Sequence, residues 1–179
     1  MSSIFDSIRS WDIKPFRRMG VTIDEEIYFA KSLLKDFEGI NPKRIVEIGG
    51  GNCVISLVLK NKLQNEILSI DTWNEEIKID DAKKYSQGKI NLLNNLFPLP
   101  FRRESVDLAY SVLYFYNVPR LTRKNLAEDL FLTIKKGGYF ILAEPEIVRN
   151  MRKDFFNVGF KEISYRSEQA VFFSKMIKE

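Results

Sequence analysis

The sequence predicts an α/β fold: a doubly wound, mostly parallel seven-stranded sheet that ends in a C-terminal antiparallel strand pair, a Rossmann-like arrangement. Three observations carry this. Short apolar runs bounded by turn residues alternate with segments of helical periodicity along most of the chain. One of these runs passes into three consecutive glycines in "VEIGGGNCV", residues 46–54, where a strand hands over to a helix. The last two runs, "FKEISYRS" and "QAVFFSKMIK", follow each other with only a short turn between them, so they pair antiparallel.

The elements follow in order. "TIDEEIYFAKSLLKDFEG" is a helix: Thr22 and Glu25 form a capping box, Ile23, Ile27, Ala30, Leu34 and Phe37 share a face, and Gly39 ends it. Asn41-Pro42 makes a turn, "RIVEIG" a buried strand and "CVISLVLKNKL" a helix. "EILSID" is the second strand, "NEEIKIDDAKKYSQG" a polar helix stopped at Gly88, and "KINLL" a short third strand. "FPLPF" carries two prolines and is loop. "VDLAYSVL" is strand four and "LTRKNLAEDLFLTIKK" a helix with Leu126, Leu130 and Ile134 on one side. "GGYFILAEP" is strand five, and "IVRNMRKDFFNVG" is the last helix. Strand–helix alternation of this kind builds a parallel sheet with helices on both faces.

Bulk composition narrows the class. A chain of 179 residues suits one domain, residues 1–179, with a single sizeable core. Hydrophobic residues make up 45% and charged residues 29%, the balance of a soluble globular protein. The one cysteine, Cys53, excludes an internal disulfide and fits a reducing, cytoplasmic setting. The first twenty residues lack the long apolar core of a signal peptide, and no stretch approaches a membrane span. With no histidine and one cysteine, a zinc site and a histidine base are excluded, and no metal is expected. The formal charge of +4 is compatible with an acidic partner but too small to argue for one.

The glycines ask what ligand they serve. Gly49 and Gly51 match the first two positions of a dinucleotide fingerprint, but its third position falls on Val54. A pyrophosphate also needs positive potential at the helix start, and Glu47 would oppose it. A cationic ligand reverses the argument. S-adenosylmethionine carries a sulfonium and an ammonium, which a carboxylate at the strand end favours. Glycines let its methionine part approach the backbone. Asp71 ends strand two, 20 residues after Gly51, the spacing of a ribose-hydroxyl acceptor.

"VEIGGGN", "SID", "LPFRRESVDLAYSVL" and "IKKGGYFILAEP" together resemble the successive motifs of class I S-adenosylmethionine-dependent methyltransferases of the type 11 kind, over roughly residues 40–177. The first resembles the acid-x-Gly-x-Gly-x-Gly loop, with Cys53 in place of its third glycine. The second resembles the ribose-binding acid. The third resembles the stretch leading into strand four, and the fourth the "KPGG" turn before strand five. The closing "VGFKEISYRS…VFFSK" is similar to the family's terminal strand pair. In the family an aspartate before "LPF" often bonds the adenine amino group. Here the segment is "LLNNLFPLPF", so the resemblance implies Asn95, or Asn94 in a shifted register, as the acceptor, with the amide of Leu96 at an adenine ring nitrogen.

The expected cofactor is therefore S-adenosylmethionine, with S-adenosylhomocysteine as product. Its expected contacts are Glu47, Gly49, Gly50, Gly51, Asp71, Thr72, Trp73, Asn94, Asn95, Leu96, Ser111 and Leu113. Some of these residue types fit a plainer role equally well. Asp71 also suits a helix N-cap. Trp73 suits either the adenine face or burial under the next helix. Ser111, Leu113 and Tyr114 are expected to line the methyl-donor pocket. Tyr114, Tyr116 and Glu144 are candidate substrate contacts, and packing is their alternative. Asp107 reads as a structural anchor, and Cys53, inside the loop, is not placed as a nucleophile.

The reaction implied is in-line attack of an acceptor nucleophile on the cofactor's methyl group, for which no single residue stands out as base. A small-molecule acceptor is favoured. The alternatives are an RNA or protein methyltransferase, or a non-catalytic cofactor-binding subunit that supports a partner. Arg17, Arg18, Arg102, Arg103, Arg120, Arg123 and Lys124 would form a basic surface for an acidic substrate, or merely a solvated face. No aromatic-basic RNA-binding motif is visible, nor an "NPPY"-like motif for methylation of base amino groups. Residues 1–21, with Ile4, Phe5, Ile8 and Trp11, are expected to form a lid over the pocket.

Overall fold

The structure, a computed structural model, describes residues 8, 20–74 and 78–179. Seven strands form one sheet in the order β3-β2-β1-β4-β5-β7-β6. They are β1 (Ile45–Ile48), β2 (Ile67–Asp71), β3 (Asn91–Asn94), β4 (Val106–Val112), β5 (Ile134–Pro145), β6 (Lys161–Glu168) and β7 (Val171–Ile177). The pairs β1–β2, β2–β3, β1–β4 and β4–β5 are parallel, while β7 runs antiparallel to both β5 and β6. The doubly wound sheet and its terminal antiparallel pair are those expected from the sequence.

Among the described residues the α-helical elements from Ile23 onward are α1 (Ile23–Leu34), α2 (Val54–Leu63), α3 (Ile79–Tyr85), α4 (Arg120–Thr133) and α5 (Arg152–Phe156). α1 starts at the expected capping box: Glu25 N donates to Thr22 Oγ1, and Thr22 N donates to Glu25 Oε2. Two apolar clusters, one on each face of the sheet, form the core. Ile27, Ala30 and Leu33 of α1 pack with Val54, Ile55 and Val58 of α2 over Ile45, Leu108 and Tyr110. On the other face Leu126, Ala127 and Leu130 of α4 and Phe155 of α5 pack over Val46, Ile48, Phe140 and Phe172. Of the lid residues expected at the N-terminus, Ile8 is fully buried in the α1–α2 cluster, and Ile4, Phe5 and Trp11 lie outside the described residues.

Three boundaries differ from the sequence reading. Ile134, Lys135 and Lys136, expected to finish the fourth helix, begin β5 instead. Ile134 pairs with Val106 there, and tertiary pairing overrides helical propensity. α3 is shorter than expected, and residues 75–77 before it lie outside the described residues. The helix expected from Ile147 is a 3₁₀ stretch, Glu146–Met151, followed by the short α5.

One polar network fastens α1 to the edge strand β6. Arg166 donates to both carboxylate oxygens of Asp36 at 2.8 and 2.7 Å and to the Ser32 carbonyl at 2.7 Å. Glu168 accepts from Lys35, Ser32 and Tyr28 at 2.8–2.9 Å. The Lys35 ammonium, helped by Ser32, Tyr28 and Arg166 against the cost of burial, holds the Glu168 carboxyl down at about 2.

Candidate active site

The parallel strands β1, β2 and β4 end on one side of the sheet, and the turns that follow them meet there. Gly49–Cys53 leads from β1 into α2 and leans on β2: Gly49 N and Gly50 N both donate to the Ile70 carbonyl, at 2.8 and 3.3 Å. Gly51 N donates to Asp71 Oδ2 at 2.7 Å, so the acid at the end of β2 also shapes the loop. Trp73 Nε1 donates to the Gly51 carbonyl at 2.9 Å. The indole is buried with Cys53 and Ala82. Of the two roles open for Trp73, burial under the following helix is therefore the one its ring occupies.

The three glycines have different physical reasons. A Cβ on Gly49, whose φ is +76°, would lie 2.2 Å from Tyr114 Cγ, so the Tyr114 ring covers this position. A Cβ on Gly50 would lie 1.8 Å from Ser69 Oγ. Of the three, only Gly51, with φ +55°, has its Cβ direction open onto space with no described residue within 4 Å. The loop thus has one open position and two packed against protein. Cys53 keeps the left-handed backbone of a third glycine, with φ 61°, at a cost of about 1 kcal/mol. Its thiol is fully buried, 3.4 Å from Ser69 Oγ.

Alternation along β1 sends Glu47 to the α1–α2 face, where it is fully buried. Its Oε2 accepts from Ser56 Oγ at 2.6 Å and Ser69 Oγ at 2.8 Å, and Ser56 Oγ lies 2.6 Å from the Tyr110 hydroxyl. Hydroxyl donors on one oxygen are what a buried carboxylate needs to remain tolerable.

Two further residues complete the loop, and the sequence reading leaves them out. Asn52 and Glu26 are both fully buried. Asn52 Nδ2 donates to Glu26 Oε2 at 2.9 Å, while Asn52 Oδ1 accepts from Val54 N, the first amide of α2, at 3.1 Å. Glu26 lies three residues after Ile23 and four before Ala30, inside the apolar stripe of α1. An acid at that register is the signal that was present. The surrounding Asp24 and Glu25 mask it as ordinary first-turn acid.

Beyond β2 and β3, Thr72 is exposed, and its amide donates to Asp71 Oδ1 at 2.7 Å. Asn94 Oδ1 accepts from Trp73 N at 3.1 Å, which engages that oxygen within the protein. Asn95 is exposed and Leu96 buried. Asn94 is exposed as well, so the two registers differ in that the Asn94 oxygen is already engaged by Trp73 N.

Past β4, Ser111 is fully buried and its hydroxyl donates to the Ile48 carbonyl at 2.8 Å, tying β4 to β1. Leu113 turns the chain with φ +52°, and its amide donates to the Ala143 carbonyl at 2.8 Å. Glu144, at the end of β5, is fully buried. It accepts from the amides of Tyr114 and Phe115 at 2.9 and 2.7 Å and of Tyr116 at 3.3 Å. Its carboxylate thus holds the post-β4 turn as an N-terminal anchor. The Tyr116 hydroxyl is buried without a hydrogen-bond partner.

Asp107 accepts from the amides of Lys43 and Arg44 and from Lys135 Nζ at 2.6–3.1 Å, the anchoring role expected of it. Arg102, Arg103, Arg120 and Lys124 are exposed. Arg123 pairs with Asp154 at 2.6 Å, and Arg17 and Arg18 lie outside the described residues. Among the described residues no three His, Cys, Asp or Glu side chains gather as metal ligands, and no helix is long and apolar enough to cross a membrane.

The strand order, the glycine loop after β1 and the acid closing β2 define a class I S-adenosylmethionine-dependent methyltransferase fold. The sequence profile of the methyltransferase domain family matches residues 46–142, more than half of the chain, and the protein belongs to that family. Solved structures share the fold at low identity. A protein from Pyrococcus horikoshii OT3 superposes with a TM-score of 0.75 at 10% identity, over 97% of this chain and 99% of the other. The N-methyltransferase NodS from Bradyrhizobium japonicum WM9, in complex with S-adenosyl-l-homocysteine, gives 0.72 at 12%, over 98% and 96%. The complex between the Haloferax volcanii Trm112 methyltransferase activator and a methyltransferase gives 0.70 at 16%, over 86% and 90%. A search of curated protein sequences gives no match.

Proposed function

We propose that the protein transfers the methyl group of S-adenosylmethionine to a small-molecule acceptor. The observation that carries this reading is the cradle at Gly51: open space among the described residues beside a left-handed backbone whose amide is held by the Asp71 carboxylate, with the Glu47 carboxylate buried behind the neighbouring Gly50. A ligand with positive charge and ribose hydroxyls fits that chemistry, and a pyrophosphate does not.

In this reading Asp71 accepts from the ribose hydroxyls while it keeps the Gly51 amide in place. Asn95 accepts from the adenine amino group, with the Leu96 amide beside it. The backbone of Gly51 faces the methionine part, and the Glu47 carboxylate acts on its positive charge from behind Gly50. When bound, the cofactor supplies the electrophilic methyl and its sulfur leaving group. The chain's own work is alignment and exclusion of water. Glu144 holds three amides of the post-β4 turn, and that turn presents Tyr114 and Tyr116. A small acceptor is supported by this phenol-lined turn, half-buried against the loop. The lid role of residues 1–21 belongs to the same proposal.

The test is calorimetry with S-adenosylmethionine, followed by methyl-transfer assays on panels of small amines, phenols, carboxylates and thiols, and on RNA. Cofactor binding with turnover of a small acceptor is the expected result. No binding at millimolar cofactor would overturn the reading. So would a tight RNA complex that weakens steeply with salt and is abolished by charge reversal at Arg102 and Arg103.

A further inference from the structure

A cleft of about 510 Å³ lies at the far end of the sheet from the glycine loop, where β1 and β4 begin and β5 enters. One wall is the turn of residues 39–43 that leads into β1, and the other is the start of β5, residues 135–139. Two of the lining residues, Gly39 and Gly137, have no described atom within 4 Å of where a Cβ would stand. Three lysines and one aspartate supply the charge of the lining. Asp107 is already engaged: it accepts from Lys135 Nζ at 2.6 Å and from the amides of Lys43 and Arg44 at 3.1 and 2.7 Å. Lys43 and Lys136 are exposed, and among the described residues neither ammonium has an ion pair or hydrogen bond. Three lysines against one aspartate leave two positive charges on one concave surface. A cleft lined by one sign of charge focuses its field and concentrates the counter-ion.

We infer that this cleft binds a small organic phosphomonoester, with its phosphate between Lys43 and Lys136. A phosphomonoester carries close to two negative charges at neutral pH, which answers both unpaired lysines, whereas a single carboxylate answers one. The volume falls within the range of roughly 300–1,000 Å³ typical of small-molecule sites, so there is room beside the phosphate for a body of sugar size. Ile40, Pro42 and the half-buried Tyr139 ring give that body an apolar wall, and the exposed Asn41 carboxamide is a partner for its hydroxyls. The glycine loop follows the carboxyl end of β1 and the cleft precedes its start, so the strand separates the two places. The site is therefore independent of the methyl-transfer reading and does not rest on it.

Ribose 5-phosphate is the probe, with ribose and inorganic phosphate as controls, in calorimetry on the full chain. Ribose 5-phosphate should bind with a dissociation constant of about 1 mM or tighter, inorganic phosphate more weakly and ribose not at all. The double variant Lys43→Gln with Lys136→Gln removes both charges and breaks no side-chain bond among the described residues. It should weaken ribose 5-phosphate by about tenfold or more, with the melting temperature unchanged. Added salt should weaken binding in the unsubstituted protein more than in the variant. Absence of ribose 5-phosphate binding at about 10 mM would overturn the inference. So would equal binding by the unsubstituted protein and the variant, or ribose or inorganic phosphate binding as tightly as the phosphomonoester. An RNA oligonucleotide held through these two lysines, with no binding of ribose 5-phosphate, also overturns it and gives the cleft to a polymer. Lysine-dependent binding of ribose 5-phosphate by a protein that does not bind S-adenosylmethionine upholds this site while the methyl-transfer reading fails.

Discussion

Alanine at Gly49 and at Gly51 should damage different properties of the protein. Both glycines have positive φ, +76° and +55°, so a side chain at either costs about 1–2 kcal/mol of backbone strain. At Gly49 the new methyl would also lie 2.2–2.6 Å from three atoms of Tyr114. That ring cannot simply slide away, because the Tyr114 amide is held by Glu144 at 2.9 Å. Overpacking of this kind adds about 1–3 kcal/mol, so Gly49→Ala should cost ~2–5 kcal/mol in all. For a domain of this size each kcal/mol lowers the melting temperature by roughly 2–4 °C. Gly51→Ala meets no atom within 4 Å and should cost only the backbone term. Its methyl would stand where the cofactor passes, and S-adenosylmethionine should bind at least about tenfold more weakly, ~1.4 kcal/mol. Urea unfolding and calorimetry on both variants decide the matter. Equal stability losses would show that Tyr114 is not seated on Gly49. Undiminished cofactor binding by Gly51→Ala would show that no ligand approaches that backbone.

Asp71→Ala removes both the proposed ribose acceptor and the partner of the Gly51 amide, and should weaken cofactor binding by about 1.5–3 kcal/mol; a folded variant with an unchanged dissociation constant moves the ribose site elsewhere. Glu168 titrates at about 2 in the folded protein, below its ordinary 4.5, so the stability it confers is complete above about 4.5 and is lost as pH falls toward 2. Burial raises the neighbouring Asp36 despite its bonds to Arg166, which works in the opposite sense: its contribution favours the fold at low pH and fades as pH rises. Urea unfolding at pH 5 and pH 3 should therefore show a smaller acid loss in Glu168→Gln than in the unsubstituted protein, and equal losses would refute the network's role. Asp154→Ala leaves the largely buried Arg123 guanidinium unpaired and should cost about 3 kcal/mol while leaving cofactor affinity intact; a variant as stable as the parent would show that the pair adds nothing.

Much of the architecture is local in origin. Thr22 and Glu25 start α1 by a bond spanning three residues, and the period of the apolar positions separates helix from strand. The strand-to-helix turn at Gly49–Gly51 and the acid at Asp71 are also legible, because left-handed backbone and a charged strand end are written in residue type. The end of the fourth helix was not: Ile134 to Lys136 read as helix by propensity, and the pairing of Ile134 with Val106 starts β5 there instead.

What the sequence by itself determined is the sheet, its winding, and the place of the glycine loop and of the acid that closes β2, since each follows from short-range periodicity and residue chemistry. The division of labour within the cradle was decided by the tertiary structure. Tyr114 and Ser69, distant in sequence, fill the space beside Gly49 and Gly50 and leave Gly51 alone open. The Trp73 indole turns inward to the Gly51 carbonyl, Glu144 reaches back to the amides after β4, and Glu26 meets Asn52 across 26 residues. These contacts depend on which side chains the packed sheet brings together. A buried polar group must find its partner wherever the fold puts one, and sequence spacing carries no record of that choice.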